Sequence, residues 1–329
     1  MKKISVKHLT ILVPQGENNL SSIVGSYKIL SRANEIFLSK GKEKVFEIDL
    51  AGSMHRVDYY QGLFSVKPNK SLDDIQSTDF IIIPSLNHQF DLAIKENQDM
   101  IHWLKKQYLS GAEIASICTG AFLLAAAGIL DGRSCSTHWS AANELSARYP
   151  KVKLLADHLI TDEHGIYTNG GAYSFLNLMI YLVEKYYDRQ TAILCAKIFQ
   201  IEMDRNSQSV FSIFTGQKNH DDEMIMEAQN FMEKSFDDKL PVESISSRFA
   251  VSRRTFDRRF IRATGNTPTE YLQRLKIEAA KKALESSRKT VNEVMYEVGY
   301  NDPKAFRSIF TRITGTSPQD YKNRYNKSR

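Results

Sequence analysis

The stretch Ser116-Ile117-Cys118-Thr119-Gly120 places a thiol where an apolar run ends and a helix-forming run begins. A cysteine at such a strand–helix corner can stand above the carboxyl end of a sheet, and the start of a helix favours its thiolate. Twenty residues on, His138 follows another apolar segment in Ser136-Thr137-His138-Trp139. A base from a neighbouring strand end is what a nucleophilic thiol needs. The same residues also suit packing: a lone corner cysteine fills space, and a histidine can bond a backbone carbonyl. The pattern leaves both readings open, together with a third in which Cys118 is a redox-sensitive thiol. Cys135 and Cys195 sit in apolar contexts and read as core, and His158 and His164 have no metal-like spacing. Neither a metal nor a cofactor is expected. Three cysteines without a close pair suit a reducing cytoplasm and argue against a disulfide framework.

A second set of residues carries charge rather than nucleophilicity. The stretch from Leu240 to Tyr325 repeats itself at a shift of fifty positions. Phe256 falls on Phe306, Phe260 on Phe310, Thr264-Gly265 on Thr314-Gly315, Pro268 on Pro318 and Tyr271 on Tyr321. Such a fixed period marks a repeated supersecondary unit. In the first copy Val242, Ile245 and Phe249 line one helix face. Ser252 is a natural N-cap, Phe256, Phe260 and Ala263 line a second helix, and Gly265 stops it. In the second copy Val291, Val294 and Val298 line the first helix, Asp302 caps, Pro303 takes the first helical position, and Phe306, Ile309, Phe310 and Ile313 turn inward. Between them, Thr269 to Ser286 reads as a joining helix with a stripe through Leu272, Leu275, Ala279 and Leu284. Burying the phenylalanines leaves Arg253, Arg254, Asp257 and Arg258 outward in one copy and Lys304, Arg307 and Ser308 in the other. This is helix-turn-helix chemistry for double-stranded DNA, since Arg and Lys can bond the guanine edge in the major groove.

The charge is divided to match. The 329 residues carry a net +6, yet residues 241–329 hold 19 Lys+Arg against 9 Asp+Glu, leaving residues 1–240 at −4. An acidic front and a basic back suit a nucleic-acid-binding tail. The start, Met1-Lys2-Lys3 with Ile4-Ser5-Val6-Lys7-His8, contains no apolar signal core, and Ala121 to Leu130 is too short to span a bilayer, so no membrane association is expected.

The repeat resembles the AraC family of bacterial transcriptional regulators. The resemblance implies two helix-turn-helix units reading neighbouring major-groove segments, with RNA polymerase as a partner. It runs from Leu240-Pro241 through Phe249-Ala250-Val251-Ser252 and Val298-Gly299-Tyr300 to Gly315-x-Ser317-Pro318-x2-Tyr321.

What must position Cys118 is a domain of alternating strands and helices. Strands are predicted over 8–13, 45–49, 57–60, 79–84, 113–117 and 165–168, and helices over 22–38, 92–108, 119–127 and 172–186. This rhythm implies an α/β domain on a largely parallel sheet, with ligands at the carboxyl ends of the strands. Residues 7–200 resemble the class I glutamine amidotransferase-like superfamily of the PfpI type, and more closely its branch fused to AraC-type DNA-binding domains. The matching runs are residues 116–125, Gly128-Ile129-Leu130-Asp131-Gly132-Arg133, Thr137-His138-Trp139 and Thr168-Asn169-Gly170-Gly171-Ala172. In the superfamily's enzymes the equivalents of Cys118 and His138 are catalytic, assisted by an acid after the first strand and by glycine N–H groups after a middle strand. Here Ser85-Leu86-Asn87 replaces those glycines, and Glu17 is the candidate acid.

The fused branch implies a pocket turned into a sensor of small amine- or amide-bearing metabolites, dimerising through the front domain. The expectation is therefore an effector-sensing, DNA-binding regulator that is not an enzyme. Its flavodoxin-like, amidotransferase-like α/β domain spans 1–205, a linker 206–222, and an all-α DNA-binding domain with two helix-turn-helix units 223–329. The candidate pocket is Cys118, Thr119, His138 and Glu17. The alternative is a cysteine-dependent hydrolase, hydratase or deglycase with a DNA-binding tail.

Overall fold

The computed structural model describes residues 6–87, 89–203, 207–218, 220–236 and 242–326. Met1-Lys2-Lys3, the expected boundary at 205/206 and the repeat's opening Leu240-Pro241 lie outside them. The chain divides into two compact units, Met1–Gln208 and Ser209–Arg329.

The first unit is α/β. Its strands and helices run β1 (Lys7–Leu12), α1 (Leu20–Ser39), β2 (Phe46–Gly52), a hairpin of β3 (Val57–Tyr59) and β4 (Phe64–Val66), β5 (Lys70–Ser71), β6 (Phe80–Ile83), α2 (Phe90–Glu96), α3 (Gln98–Leu109), β7 (Glu113–Ile117) and α4 (Ala121–Ala126). Then come β8 (Ser134–Cys135), α5 (Ala142–Arg148), β9 (Lys153–Leu154), β10 (Ile160–Glu163), β11 (Ile166–Asn169), α6 (Phe175–Tyr186) and α7 (Arg189–Phe199). Seven strands form one sheet in the order β10-β11-β7-β6-β1-β2-β5. Every neighbouring pair is parallel except β10–β11. Helices cover both faces, which is why the central strands read as unbroken apolar runs. Phe80 and Ile82 face the core shared with α1, α6 and α7, whereas Ile81 and Ile83 face the core of α2, α3 and α4.

One predicted helix comes out differently, and helix α7 was not predicted. The expected helix over 92–108 is split at Asn97, whose carboxamide accepts from the Gln15 N–H at 2.8 Å and donates to Gln15 O at 3.1 Å. That clamp on the β1–α1 loop takes the side chain away from surface duty and marks the break. Helix α7 carries no label in the sequence reading because its buried face is short (Thr191, Ala192, Cys195, Ala196).

The second unit is all-α: α8 (Glu223–Lys234), α9 (Val242–Arg248), α10 (Arg253–Thr264), α11 (Pro268–Ser286), α12 (Val291–Glu297), α13 (Pro303–Thr314) and α14 (Pro318–Tyr325). The fifty-residue shift maps α10 onto α13 residue for residue. Ser252 and Asp302 cap them, and Gly265 and Gly315 end them at φ of 72° and 74°, a left-handed conformation that glycine adopts without strain. The copies repeat down to single bonds. Thr264 and Thr314 donate to Phe260 O and Phe310 O, each at 2.8 Å. Tyr271 packs edge-on against Phe260, as Tyr321 does against Phe310. The Tyr271 hydroxyl donates to Glu233 of α8, and the Tyr321 hydroxyl to Glu285 of α11. Helix α11 thus stands to the second copy as α8 stands to the first.

The joining helix buries two faces rather than the one stripe expected. Tyr271 and Leu272 enter the first copy's core, and Ile277, Ala280 and Leu284 the second's. Among the described residues no helix is long and apolar enough to cross a membrane.

Candidate nucleic-acid interface and ligand site

Each copy presents its second helix, α10 or α13, with one face packed and one face free. Phe256 and Phe260 anchor α10, and Phe306 and Phe310 anchor α13, all at most 1% exposed. The opposite faces carry Arg254 and Arg258 on α10 and Lys304, Arg307 and Ser308 on α13, all exposed. Arg253 and Asp257 lie differently. The Arg253 Nε donates to both Asp257 carboxylate oxygens at 2.8 and 2.9 Å, and its Nη1 reaches Glu243 of α9 at 2.6 Å. These two residues brace α10 against α9, an arrangement that helical spacing alone does not separate from an outward-facing pair. At matching positions the two helices offer Arg254 and Lys304, Asp257 and Arg307, and Arg258 and Ser308. The copies are therefore alike in frame and unlike in surface.

In the first unit, Cys118 stands at the end of β7 with φ +55°, the left-handed region that a non-glycine residue seldom takes. The turn packs so tightly on the end of β6 that a Cβ at Gly120 would lie 2.5 Å from Pro84 O. The sulfur is not presented to solvent, because Cys118 is only 3% exposed. Burial pushes its thiol up, against the pull of the Ser85 and Thr119 hydroxyls and of Thr119 and His138 backbone groups. The expected bias of the helix start toward thiolate is outweighed by this desolvation. Thr119 donates to Leu86 O at 2.6 Å and lies 3.0 Å from the Ser85 hydroxyl.

His138 contributes its backbone to the surroundings of Cys118. The Thr137 hydroxyl donates to Cys118 O at 2.9 Å. The imidazole Nδ1 accepts from the Ser140 N–H at 3.2 Å and lies 2.7 Å from the Ser140 hydroxyl, capping the short turn Trp139–Ala141. An amide N–H can only donate, so Nδ1 is the acceptor and the ring proton resides on Nε2. In that tautomer the ring cannot take a proton at Nε2.

Glu17 is exposed, and its carboxylate accepts from the Tyr60 N–H at 3.0 and 3.2 Å, tying the β1–α1 loop to the β3–β4 hairpin. Its neighbour Asn18 is the buried group. The Asn18 Nδ2 donates to Pro14 O and Gly16 O, which fixes the carboxamide, and its Oδ1 is buried without a hydrogen-bond partner among the described residues. The Asn18 backbone bridges to Leu86, whose carbonyl holds Thr119. The loop that replaces the enzymes' glycines is occupied as well. Ser85 N–H donates to the Ser22 hydroxyl at 3.2 Å and Asn87 N–H to Glu17 O at 3.0 Å.

Sequence reasoning also missed Gln208, placed in the linker. It is 1% exposed, with Nε2 donating to Thr137 O at 2.8 Å and Ala156 O at 2.7 Å. A Cβ at Gly170 would lie 2.2 Å from that nitrogen. The glycine pair after β11 was the available signal, since a bare backbone there lets another side chain close in.

The comparisons follow this two-part division. The DJ-1/PfpI family matches residues 36–185, and a helix-turn-helix domain family matches residues 245–324. The HTH-type transcriptional regulator GbdR of Pseudomonas aeruginosa is 22% identical over 302 residues, covering 92% of this chain and 80% of that protein. The HTH-type transcriptional regulator GlxA of Rhizobium meliloti is 25% identical over 220 residues, covering 65% of this chain and 66% of its own. Among solved structures, a putative transcriptional regulator protein from Vibrio parahaemolyticus superposes with a TM-score of 0.53 at 24% identity, over 59% of this chain and 99% of that one. A THiJ/PfpI family protein from Pseudomonas syringae does so at 0.51 and 16%, over 62% and 78%. These structures share the fold of the first unit. With a DJ-1/PfpI-family domain in front and a helix-turn-helix domain behind, the chain is a DNA-binding transcriptional regulator.

Proposed function

We propose that the protein is a cytoplasmic, homodimeric regulator that reads an asymmetric DNA site, engages RNA polymerase and is controlled by a small effector held in its front domain. The observation that carries this reading is the pair of superimposable units, each with an exposed polar face on its second helix. Arg254, Arg258, Lys304, Arg307 and Ser308 are the proposed DNA contacts, and Arg253 and Asp257 hold α10 in the orientation those contacts need. The effector site comprises Cys118, Thr119 and His138 with Asn18 beside them, while Glu17 supports the wall through Tyr60. A buried acceptor without a donor among the described residues, Asn18 Oδ1, suits a ligand bearing an amine or amide N–H. Binding can shift regulation only through unequal affinity for the DNA-competent and DNA-incompetent states.

The domain is not an enzyme in this reading. Its thiol is buried and raised, its imidazole caps a turn, and loop amides that could serve an oxyanion hole already donate within the protein. A cysteine-dependent hydrolase is the second reading, favoured by the left-handed Cys118. Thermal shift of the full chain against a panel of small amines and amides tests the sensor. A ligand that stabilises wild type but not Asn18→Leu supports it. Turnover of any such compound that vanishes in Cys118→Ala contradicts it.

A further inference from the structure

The segment read from sequence as a linker is, from residue 209 to 218, built into the second unit. Val210 packs against the core of the second helix-turn-helix copy and Phe214 against that of the first. Besides α11, this segment contributes to both cores. It crosses α11 at a buried ion pair. Lys281 and Glu278 are 4% and 8% exposed, with Nζ 2.8 Å from Oε2. Each charge also holds the crossing segment: Lys281 Nζ donates to Ser212 O, and Glu278 Oε2 accepts from the Phe214 N–H at 3.1 Å. Further along, Phe214 packs edge-on against Tyr271 at 5.1 Å. Gly216, at φ +78°, lies so close that a Cβ would meet the Tyr271 hydroxyl at 2.6 Å. Gln217 O accepts from Gln229 Nε2 of α8, and Lys218 pairs with Glu233 of α8.

Charges so deeply buried are costly unless they are paired and fully hydrogen-bonded. Here the bonds that complete them come from the 209–218 backbone, so seating that strap and burying the pair are one event. We infer that the strap 209–218, clipped to Glu278 and Lys281, fixes the angle between the two helix-turn-helix units and so sets the spacing of the two DNA segments the protein accepts. Glu278 and Lys281 are positioning residues: they touch no DNA and act through the strap. The inference rests on the two-segment reading of DNA proposed above.

The test uses the full chain and three duplexes: the selected site, the same site with one segment scrambled, and the site with one base pair inserted between the segments. One inserted pair turns the second segment by about 35° around the axis. A rigidly linked pair of binding modules gains about 10²- to 10⁴-fold in avidity over one module, and loses it when the geometry forbids both contacts. The variant Glu278→Leu/Lys281→Met removes both clips without leaving an orphan charge. It is expected to bind the scrambled duplex like wild type, to lose at least about tenfold on the intact site, and to be penalised less than wild type by the insertion. Phe214→Ala, which keeps the ion pair, is the second variant and predicts the same split should the first not fold by circular dichroism. Wild-type affinity and spacing discrimination in the folded variants overturn the inference, as does an equal loss on all three duplexes. If wild type itself gains nothing from the second segment, the two-segment reading fails and the inference falls with it.

Discussion

Replacing Arg254 by alanine separates base reading from helix bracing. Arg254 is exposed at the second position of α10 and makes no ion pair with any other described residue. Its removal leaves the Phe256 and Phe260 anchors untouched, so folding stability should stay within about 0.5 kcal/mol of wild type. A side chain that reads a base edge discriminates by roughly 1–3 kcal/mol, about 5- to 150-fold in affinity. The variant should therefore bind the selected site that much more weakly, lose preference at one or two adjacent base pairs, and bind unrelated DNA nearly as before. A phosphate contact would give another signature: an even loss across sequences and a salt slope smaller by about one. Arg253→Ala is the control. Its carboxylate partners are Asp257 and Glu243, an i,i+4 bond being worth about 0.3–0.5 kcal/mol, so it should loosen α10 against α9 and lower thermal stability before it alters base preference. Fluorescence anisotropy on matched and mismatched duplexes, beside thermal denaturation, reads both. Arg254→Ala binding the selected site as tightly as wild type would refute the assignment of the outward face.

Further outcomes are expected. Tyr271→Phe and Tyr321→Phe each delete a hydroxyl bonded to a carboxylate at the same place in the repeat, and each should cost about 1–3 kcal/mol in chemical denaturation. The buried Cys118 thiol should be alkylated slowly in the native protein at neutral pH, with a rate still climbing above pH 9. Because its folded value lies above the unfolded one, the stability gained by keeping it protonated is intact below pH 9 and declines as pH rises through the folded value. DNA binding that survives peroxide treatment would follow from the same burial. Finally, giving α13 the α10 surface (Lys304→Arg, Arg307→Asp and Ser308→Arg) should shift sequence selection toward two similar segments in place of two different ones.

The repeat was legible because its signals are local and redundant. Caps, a glycine stop and two phenylalanines one turn apart mark each copy, and the second occurrence confirms the first. The parallel sheet was legible for a related reason, since strands covered on both faces cannot hide their apolar runs. What escaped depends on distant partners. Asn97 breaks a helix because of Gln15, 82 residues away, and Gln208 is buried because Gly170 leaves room for it. Glu278 and Lys281 look like ordinary helix-surface charges until the strap covers them. In the β1–α1 loop the candidate acid Glu17 turns its carboxylate to Tyr60, and the Asn18 carboxamide is buried instead. Only the backbone turn decides which of these two neighbouring side chains is buried.

Selection of DNA sites by the full-length protein from a genomic pool at near-physiological salt, followed by footprinting, tests the central claim most directly. The account predicts one enriched, asymmetric site protected in two major-groove segments about one helical turn apart. Binding that is blind to sequence and vanishes with modest salt would contradict it.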